Sequence, residues 1–140
     1  MARPRTFDEQ RAVAAAAELF ARVGYSATSV DDLVTALGMH RGSLYQAFGS
    51  KRGLFLAALR RTVLSELSPC ADPEAWTEQP CLDLVLVAAL ELAPDDLEVR
   101  GLVAQACEVL DRRLPGGSVP AELLGSRLLR RGKLPVPFPT

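Results

Sequence analysis

The chain has 140 residues, of which 49% are hydrophobic, and a formal net charge of −1. This length suffices for one moderate core, or for a small domain with a dependent helical half. The longest apolar stretch, residues 82–92, is about half of the ~20 residues that a membrane-spanning helix requires. No basic start with an apolar stretch and a cleavage site opens the chain. We therefore expect a cytoplasmic protein without a membrane segment.

Charge is divided unevenly along the chain. Residues 1–63 carry nine Lys or Arg and five Asp or Glu, a balance of +4, whereas residues 64–140 carry seven and twelve, a balance of −5. A basic front half suits a protein that presents one end to phosphates, because neutralising phosphates releases counterions. Ordinary scatter explains the same split equally well, so charge alone selects no function.

The first predicted helix runs from about residue 7 to residue 23 and ends at Gly24. Its sequence is rich in alanine, and its apolar residues recur at helical spacing. We expect this helix to brace the segment that follows. The residues predicted to form its inner side are Ala12, Val13, Ala16, Leu19, Phe20 and Val23.

Two short helices around a tight turn are predicted over residues 28–48. The first has one apolar face made by Val30, Leu33, Val34 and Leu37, and either Thr28 or Ser29 is placed to cap it with an Asp three residues on. Gly38 supplies the turn. In the second helix only Leu44 and Phe48 provide an anchoring edge, so the remaining face is polar, as a helix that enters a DNA groove requires.

The rest of the chain is also predicted to be helical. A linking helix follows Ser50 and ends at residue 66 or 67, and residues 68–80, with three prolines, form a linker. Residues 81–93 are apolar nearly all round, which indicates a buried helix. Asp95 is predicted to cap the next helix, and a last helix covers about 118–131. The stripe of the capped helix comprises Val99, Leu102, Val103, Ala106, Cys107, Leu110 and Leu114.

A set of residues around the predicted turn falls in one characteristic order and spacing. The set comprises Phe20, Gly24-Tyr25, Thr28-Ser29-Val30, Gly38, Gly42-Ser43-Leu44-Tyr45, Phe48 and Ser50-Lys51. Over roughly residues 7–67 the chain resembles the TetR family of bacterial transcriptional regulators. The resemblance implies an all-α fold in which a three-helix DNA-binding unit with a helix-turn-helix is joined by a linking helix to a helical regulatory half.

The same resemblance divides the chain into three parts. Residues 1–67 correspond to the DNA-binding domain with its linking helix, 68–80 to a linker, and 81–140 to a reduced ligand-binding and dimerisation domain with a proline-rich tail. Family members usually continue with two long helices that pair with the partner subunit. This sequence is expected to be a shortened or disrupted member, or one in which residues 95–131 have taken over the dimer contact.

The candidate DNA-contacting residues lie on and beside the second short helix. Arg41 and Gln46 are able to make paired hydrogen bonds to guanine and adenine. Tyr45 is either a phosphate ligand or a core residue, and His40 is a cap or a DNA contact. Lys51 matches a family position that grips phosphate. The full set is Thr28, Ser29, His40, Arg41, Gly42, Ser43, Tyr45, Gln46 and Lys51.

Other basic residues have a less specific interpretation. Arg3 and Arg5 form either a DNA-binding arm or a disordered end, whereas Arg52, Arg60 and Arg61 are interpreted first as solvated surface.

Effector binding is a second expectation that follows from the resemblance. In the family a small molecule enters a pocket among the helices after the linker, and its binding changes the spacing of the two DNA-reading heads. Plain core is the competing interpretation for every candidate pocket residue. These candidates are Trp76, Cys81, Leu84, Ala88, Leu102, Val103 and Ala106.

The cysteines and the motif search argue against other classes of function. Cys70, Cys81 and Cys107 are odd in number and lack metal-ligand spacing, so no metal or cofactor is expected. A minor hypothesis is that one of them senses oxidants. No catalytic motif is found, so no enzyme is expected.

Two functional interpretations remain open. The first is a ligand-responsive repressor that binds a double-stranded DNA operator as a homodimer. The alternative is a shortened regulator that binds a full-length relative and holds no operator itself.

Overall fold

The computed structural model describes residues 5–67, 80–113 and 119–133. The described part is helices joined by turns, without strands, which confirms the all-α prediction. The helices are α1 (Arg5–Val23), α2 (Val30–Leu37), α3 (Arg41–Phe48), α4 (Lys51–Arg61), α5 (Pro80–Val87), α6 (Leu97–Arg113) and α7 (Val119–Arg131). Helix α4 continues as π-helical turns over Thr62–Leu67, and α5 does so over Ala88–Leu92. No described helix has the length and apolar character needed to cross a membrane.

Several predictions concern segments outside the described residues. They are the body of the linker with Cys70 and Trp76, the stripe residue Leu114, the proline-rich tail, Arg3 and the side chain of Arg5.

Local capping chemistry determines where the short helices begin. Ser29 is the N-cap of α2: its hydroxyl accepts a hydrogen bond from the Asp32 amide at 3.0 Å, and Asp32 Oδ2 accepts one from the Ser29 amide at 2.8 Å. This is the predicted capping box. Ser50 caps α4 by accepting a hydrogen bond from the Gly53 amide at 2.9 Å. The starts of α2 and α4 are therefore determined by residues close to them in the sequence.

Gly38 ends α2 in the left-handed region, with φ of 63° and ψ of 30°. Residues with a β-carbon rarely adopt this conformation, so glycine is the residue that makes the tight turn into α3.

The cap of α6 differs from the prediction. Asp96, not Asp95, accepts hydrogen bonds from the amides of Glu98 at 3.1 Å and Val99 at 3.2 Å. The capping-box pattern favours Asp95, which has Glu98 three residues on, whereas Asp96 has Val99 at that spacing. Asp96 nevertheless caps the helix, and it also contacts a distant residue, described below.

One hydrophobic core runs through both halves of the chain. Helix α1 packs against α2, α4 and α5, and α6 packs against the π-helical turns that follow α4 and α5. Phe20, Leu33, Leu44 and Phe55 are fully buried within the same cluster as α5 and α6 residues. The prediction that Val23 lies on the inner side of α1 is wrong, because 42% of its surface is exposed at the last position of that helix.

An aromatic cluster fixes the end of α1 against α4. The Phe20 and Phe55 ring centroids lie 5.1 Å apart in an edge-on arrangement, and Tyr25 lies 5.1 Å from Phe55 and 5.8 Å from Phe20. Such pairs add to the burial of the rings themselves. The cluster therefore holds the loop before α2 on the first turns of α4.

Candidate nucleic-acid interface

Helix α3 has one buried side chain and a broad exposed face. Leu44 is 0% exposed and anchors the helix in the core. Around it, Arg41, Gly42, Ser43 and Gln46 are exposed, and Tyr45 is 41% exposed. Tyr45 is therefore not the core residue of the competing interpretation. The helix ends at Phe48, as predicted for the second of the two short helices, and five of the nine predicted contact residues share this accessible surface.

Arg41 is ion-paired across the turn. Its guanidinium Nη2 donates to Oδ1 of Asp31 on α2, and the side chains are 54% and 81% exposed. The pair leaves both side chains open to solvent, so Arg41 is positioned on the surface without being withdrawn from it. Asp31 was not among the predicted site residues, because a separation of ten residues across a turn gives no periodic signal.

The predicted cap residues occupy three different environments. Thr28 is 1% exposed, and its hydroxyl donates to the Gly24 carbonyl at 2.6 Å. This bond holds the buried hydroxyl on the loop after α1, and a contact of Thr28 with DNA stays a prediction. Ser29 is exposed but is engaged in the capping box, where its hydrogen bonds lower the pKa of the Asp32 carboxyl. His40 is the exposed N-cap of α3 and makes no capping hydrogen bond through its side chain.

Lys51 lies at the start of α4 above the Tyr25 ring, with Nζ 4.2 Å from the ring centroid. Burial lowers the pKa of Lys51, and the nearby Glu91 carboxylate opposes that shift. A cation over an aromatic face is partly desolvated and held in place. The predicted phosphate-binding lysine is therefore positioned by the same aromatic cluster that holds α1 on α4.

A second set of charges joins α4 to the start of α6. Arg52 donates from Nε to Asp96 Oδ2 at 2.7 Å and from Nη2 to Asp96 Oδ1 at 3.0 Å, and it also reaches Glu98 Oε2 at 3.1 Å. Arg60 pairs with the other oxygen of Glu98. The Arg52 hydrogen bonds hold the pKa of Asp96 at about 2. Arg52 and Arg60 therefore lie on the exposed surface, as first interpreted, and are ion-paired there.

Comparison with known proteins places the N-terminal region. A family model described as "Bacterial regulatory proteins, tetR family" matches residues 12–58, which contain α2, α3 and the first turns of α4. Over residues 12–58 the chain is therefore similar to the TetR family.

Three curated relatives each match half of the chain or less. The HTH-type transcriptional repressor BdcR of Escherichia coli is 46% identical over 70 residues, which are 50% of this chain and 36% of BdcR. The repressor ComR of the same organism is 46% identical over 61 residues, 44% of this chain and 29% of ComR. The uncharacterized regulator YezE of Bacillus subtilis is 43% identical over 60 residues, 43% of this chain and 31% of YezE. The chain thus spans about a third of the length of these relatives.

One solved structure of similar length was also found. It is the TetR family transcriptional regulator PfmR from Thermus thermophilus, with a TM-score of 0.46 and 23% sequence identity over 93% of this chain and 89% of PfmR.

The predicted pocket residues that the structure describes are part of the core. Cys81, Leu84, Ala88, Leu102 and Ala106 belong to the buried cluster, and Val103 packs against it. Their position supports the plain-core interpretation for each one. Thr62 was not among the residues predicted from the sequence. It lies in the π-helical turns packed on α6 and is 0% exposed. Its Oγ1 has no hydrogen-bond partner among the described residues.

The described cysteines show no sign of reactivity. Cys81 is buried, and burial raises the pKa of the half-buried Cys107 thiol, which disfavours the thiolate that oxidants attack. Among the described residues no group of three or more His, Cys, Asp or Glu is placed to hold a metal ion.

Proposed function

We propose that this protein is a sequence-specific DNA-binding transcriptional regulator, a repressor, that reads the major groove with α3. The observation that carries the proposal is the arrangement of α3, whose Leu44 is buried while Arg41, Ser43, Tyr45 and Gln46 are exposed together. A helix-turn-helix docks its second helix in the major groove and reads base edges from that helix. BdcR and ComR are both named as transcriptional repressors, which supports repression rather than activation.

Each proposed contact has its own role. Arg41 and Gln46 select bases, because a guanidinium and a carboxamide each make two hydrogen bonds to one base edge. Ser43 and Tyr45 bind phosphate or base, the α3 backbone approaches closely at Gly42, and Lys51 and the α4 amides grip phosphate. We infer that the protein catalyses no reaction. A regulator of this class acts on DNA in the cytoplasm.

The test is a selection of preferred duplexes from a randomised pool, followed by affinity measurements by fluorescence anisotropy at several salt concentrations. Arg41→Ala and Gln46→Ala should each weaken binding to the selected duplex by about 1–3 kcal/mol and relax the base preference at one position. Lys51→Ala should weaken binding to all duplexes alike. It should also reduce the slope of log affinity against log salt concentration by about one.

Matched controls come from the other end of the chain. Gln105→Ala on α6 and Arg130→Ala on α7 remove the same exposed side-chain types far along the chain from α3. They should bind as wild type does. If the three α3 and α4 variants also bind as wild type does, α3 does not dock as proposed.

We further propose that the protein binds its operator as a homodimer and responds to a small-molecule effector. The unpartnered Thr62 hydroxyl supports the second point, because a buried polar group without a partner among the described residues is a group that a ligand can satisfy. Light scattering after size exclusion, with and without the selected duplex, tests the first. A stable monomer that ignores the duplex would favour the alternative, in which the chain binds a full-length relative.

A further inference from the structure

The two adjacent acids at the start of α2 are used differently. Asp32 closes the capping box, with its Oδ2 accepting from both the amide and the hydroxyl of Ser29 at 2.8 and 2.7 Å. Asp31 takes no part in that box and accepts from Arg41 on α3. Helix capping therefore accounts for Asp32, whereas Asp31, in the first turn of α2, also contacts the candidate DNA-reading surface.

We propose that Asp31 is a specificity-determining positioning residue, which holds the Arg41 guanidinium in the orientation that reads a base. The proposal rests on the proposed function, since it assigns a second residue to the same DNA-reading surface. The DNA-reading surface then includes Asp31 of α2, which contacts Arg41, the first residue of α3.

The geometry of the guanidinium allows both contacts at once. Arginine carries five N–H donors in a rigid plane, and the contact with Asp31 uses the Nη2 group. Guanine requires two donors for O6 and N7. Because the remaining donors lie in the same plane, fixing one edge of the guanidinium on Asp31 fixes the direction in which the others point.

The exposure of the pair explains why its effect falls on specificity. With 54% and 81% of the side chains exposed, water screens the ion pair, and such surface pairs add little to folding. An unpaired arginine is flexible and binds any phosphate or acceptor within reach. Asp31 restricts Arg41 and repels nearby phosphates, so it should lower affinity for unselected DNA and raise discrimination between bases.

The experiment measures wild type, Asp31→Asn, Arg41→Ala and the double variant on the duplex selected by the wild-type protein. Each protein is also measured on three further duplexes. These carry the other three base pairs at the position where Arg41→Ala abolishes the base preference. We compare the affinity for the selected duplex with the affinity for a changed duplex. Asp31→Asn should lower the ratio of these two affinities by about three- to tenfold, chiefly because the variant binds the changed duplexes more tightly. In the Arg41→Ala background Asp31→Asn should leave that ratio unchanged.

The controls separate positioning from charge. Glu18→Gln on α1 removes one exposed negative charge from the same unit and should leave the ratio at the wild-type value. An equal change of affinity on all duplexes by Asp31→Asn would overturn the proposal while leaving the proposed function intact. A ratio that still changes in the Arg41→Ala background would also overturn it, since Asp31 would then read a base itself. Wild-type protein that selects no duplex would overturn both proposals.

Discussion

Oε2 of Glu91 accepts a hydrogen bond from the backbone amide of Ser26 at 2.7 Å, across 65 residues of sequence. Glu91 belongs to the π-helical turns after α5, and Ser26 lies in the loop between α1 and α2. The same carboxylate acts on Lys51 at the start of α4. One side chain of the C-terminal half is thus in contact with the loop that leads into the helix-turn-helix.

Removing this contact should loosen the loop before α2. Glu91→Ala deletes the acceptor of the Ser26 amide and should lower the free energy of unfolding by about 1 kcal/mol. Glu91→Gln keeps an oxygen that accepts the bond and should stay closer to wild type. Urea unfolding followed by circular dichroism measures both. Equal losses in the two variants would mean that charge, rather than the hydrogen bond, carries the effect.

Gly53 marks a close approach between α3 and α4. A β-carbon placed on it would lie 2.0 Å from the Phe48 carbonyl oxygen, which is backbone and has little freedom to move. We expect Gly53→Ala to lower the free energy of unfolding by about 1–3 kcal/mol through overpacking. Gly101→Ala on α6 is the matched control: nothing lies within 4 Å of its β-carbon, and alanine favours helix by about 1 kcal/mol. The two substitutions should have opposite signs in urea unfolding.

The Asp96–Arg52 pair predicts a specific acid dependence of stability. The pKa of Asp96 is about 2 in the folded protein, against about 3.9 for an unfolded aspartate. Its contribution is therefore complete above pH of about 4 to 5 and is lost as pH falls through the folded value. Asp96→Asn keeps a capping oxygen for α6 but removes the charge.

The difference in unfolding free energy between wild type and Asp96→Asn should shrink as pH is lowered from about 5 towards about 2. Thermal unfolding at a series of pH values measures it. Asp95→Asn removes the neighbouring charge and leaves the Arg52 contact in place, so its difference from wild type should change less over this range. A constant difference for Asp96→Asn would contradict the role of the pair.

The helix-turn-helix was predictable from sequence because its signals are local. Ser29 with Asp32, the left-handed Gly38 and the single buried edge at Leu44 lie within sixteen residues, and each acts on its own backbone neighbourhood. The bounds of α3 follow from them. Thr28 was the exception, since a hydroxyl before a helix bonds either forward as a cap or back to an earlier carbonyl, as it does here.

The contacts between the halves could not be predicted in the same way. Asp95, with Glu98 three residues on, fits the capping-box pattern better than Asp96 does. Asp96 nevertheless caps α6, and it makes two hydrogen bonds to Arg52, 44 residues earlier. Glu91 likewise lies beside the Ser26 amide because α5 packs on α1. A periodic pattern shows that a face is buried, but it does not say which distant side chain meets a charge at the edge of that face.

Helix α7 is held to the rest of the molecule by a charged clamp. Arg127 binds Asp83 on α5 with Nε to Oδ1 at 3.0 Å and Nη2 to Oδ2 at 2.8 Å, and these side chains are 19% and 17% exposed. Arg131, from the last turn of α7, lies 3.9 Å from the same carboxylate and donates to the Ala21 and Arg22 carbonyls at the end of α1. The clamp thus joins α7 to both α5 and α1.

We expect Asp83→Asn to release α7 before the rest of the fold. A two-bond contact between charged groups that are mostly buried contributes more than an exposed pair, and its loss should lower the free energy of unfolding by about 1.5–3 kcal/mol. Amide hydrogen exchange should show faster exchange in α7 than in α1. Glu108→Gln, which breaks the exposed Glu108–Arg112 pair on α6, is the control and should cost less than about 0.5 kcal/mol. Equal losses in the two variants would show that α7 is held by its apolar contacts, since the carboxylate of Asp83 would then contribute no more than a surface charge.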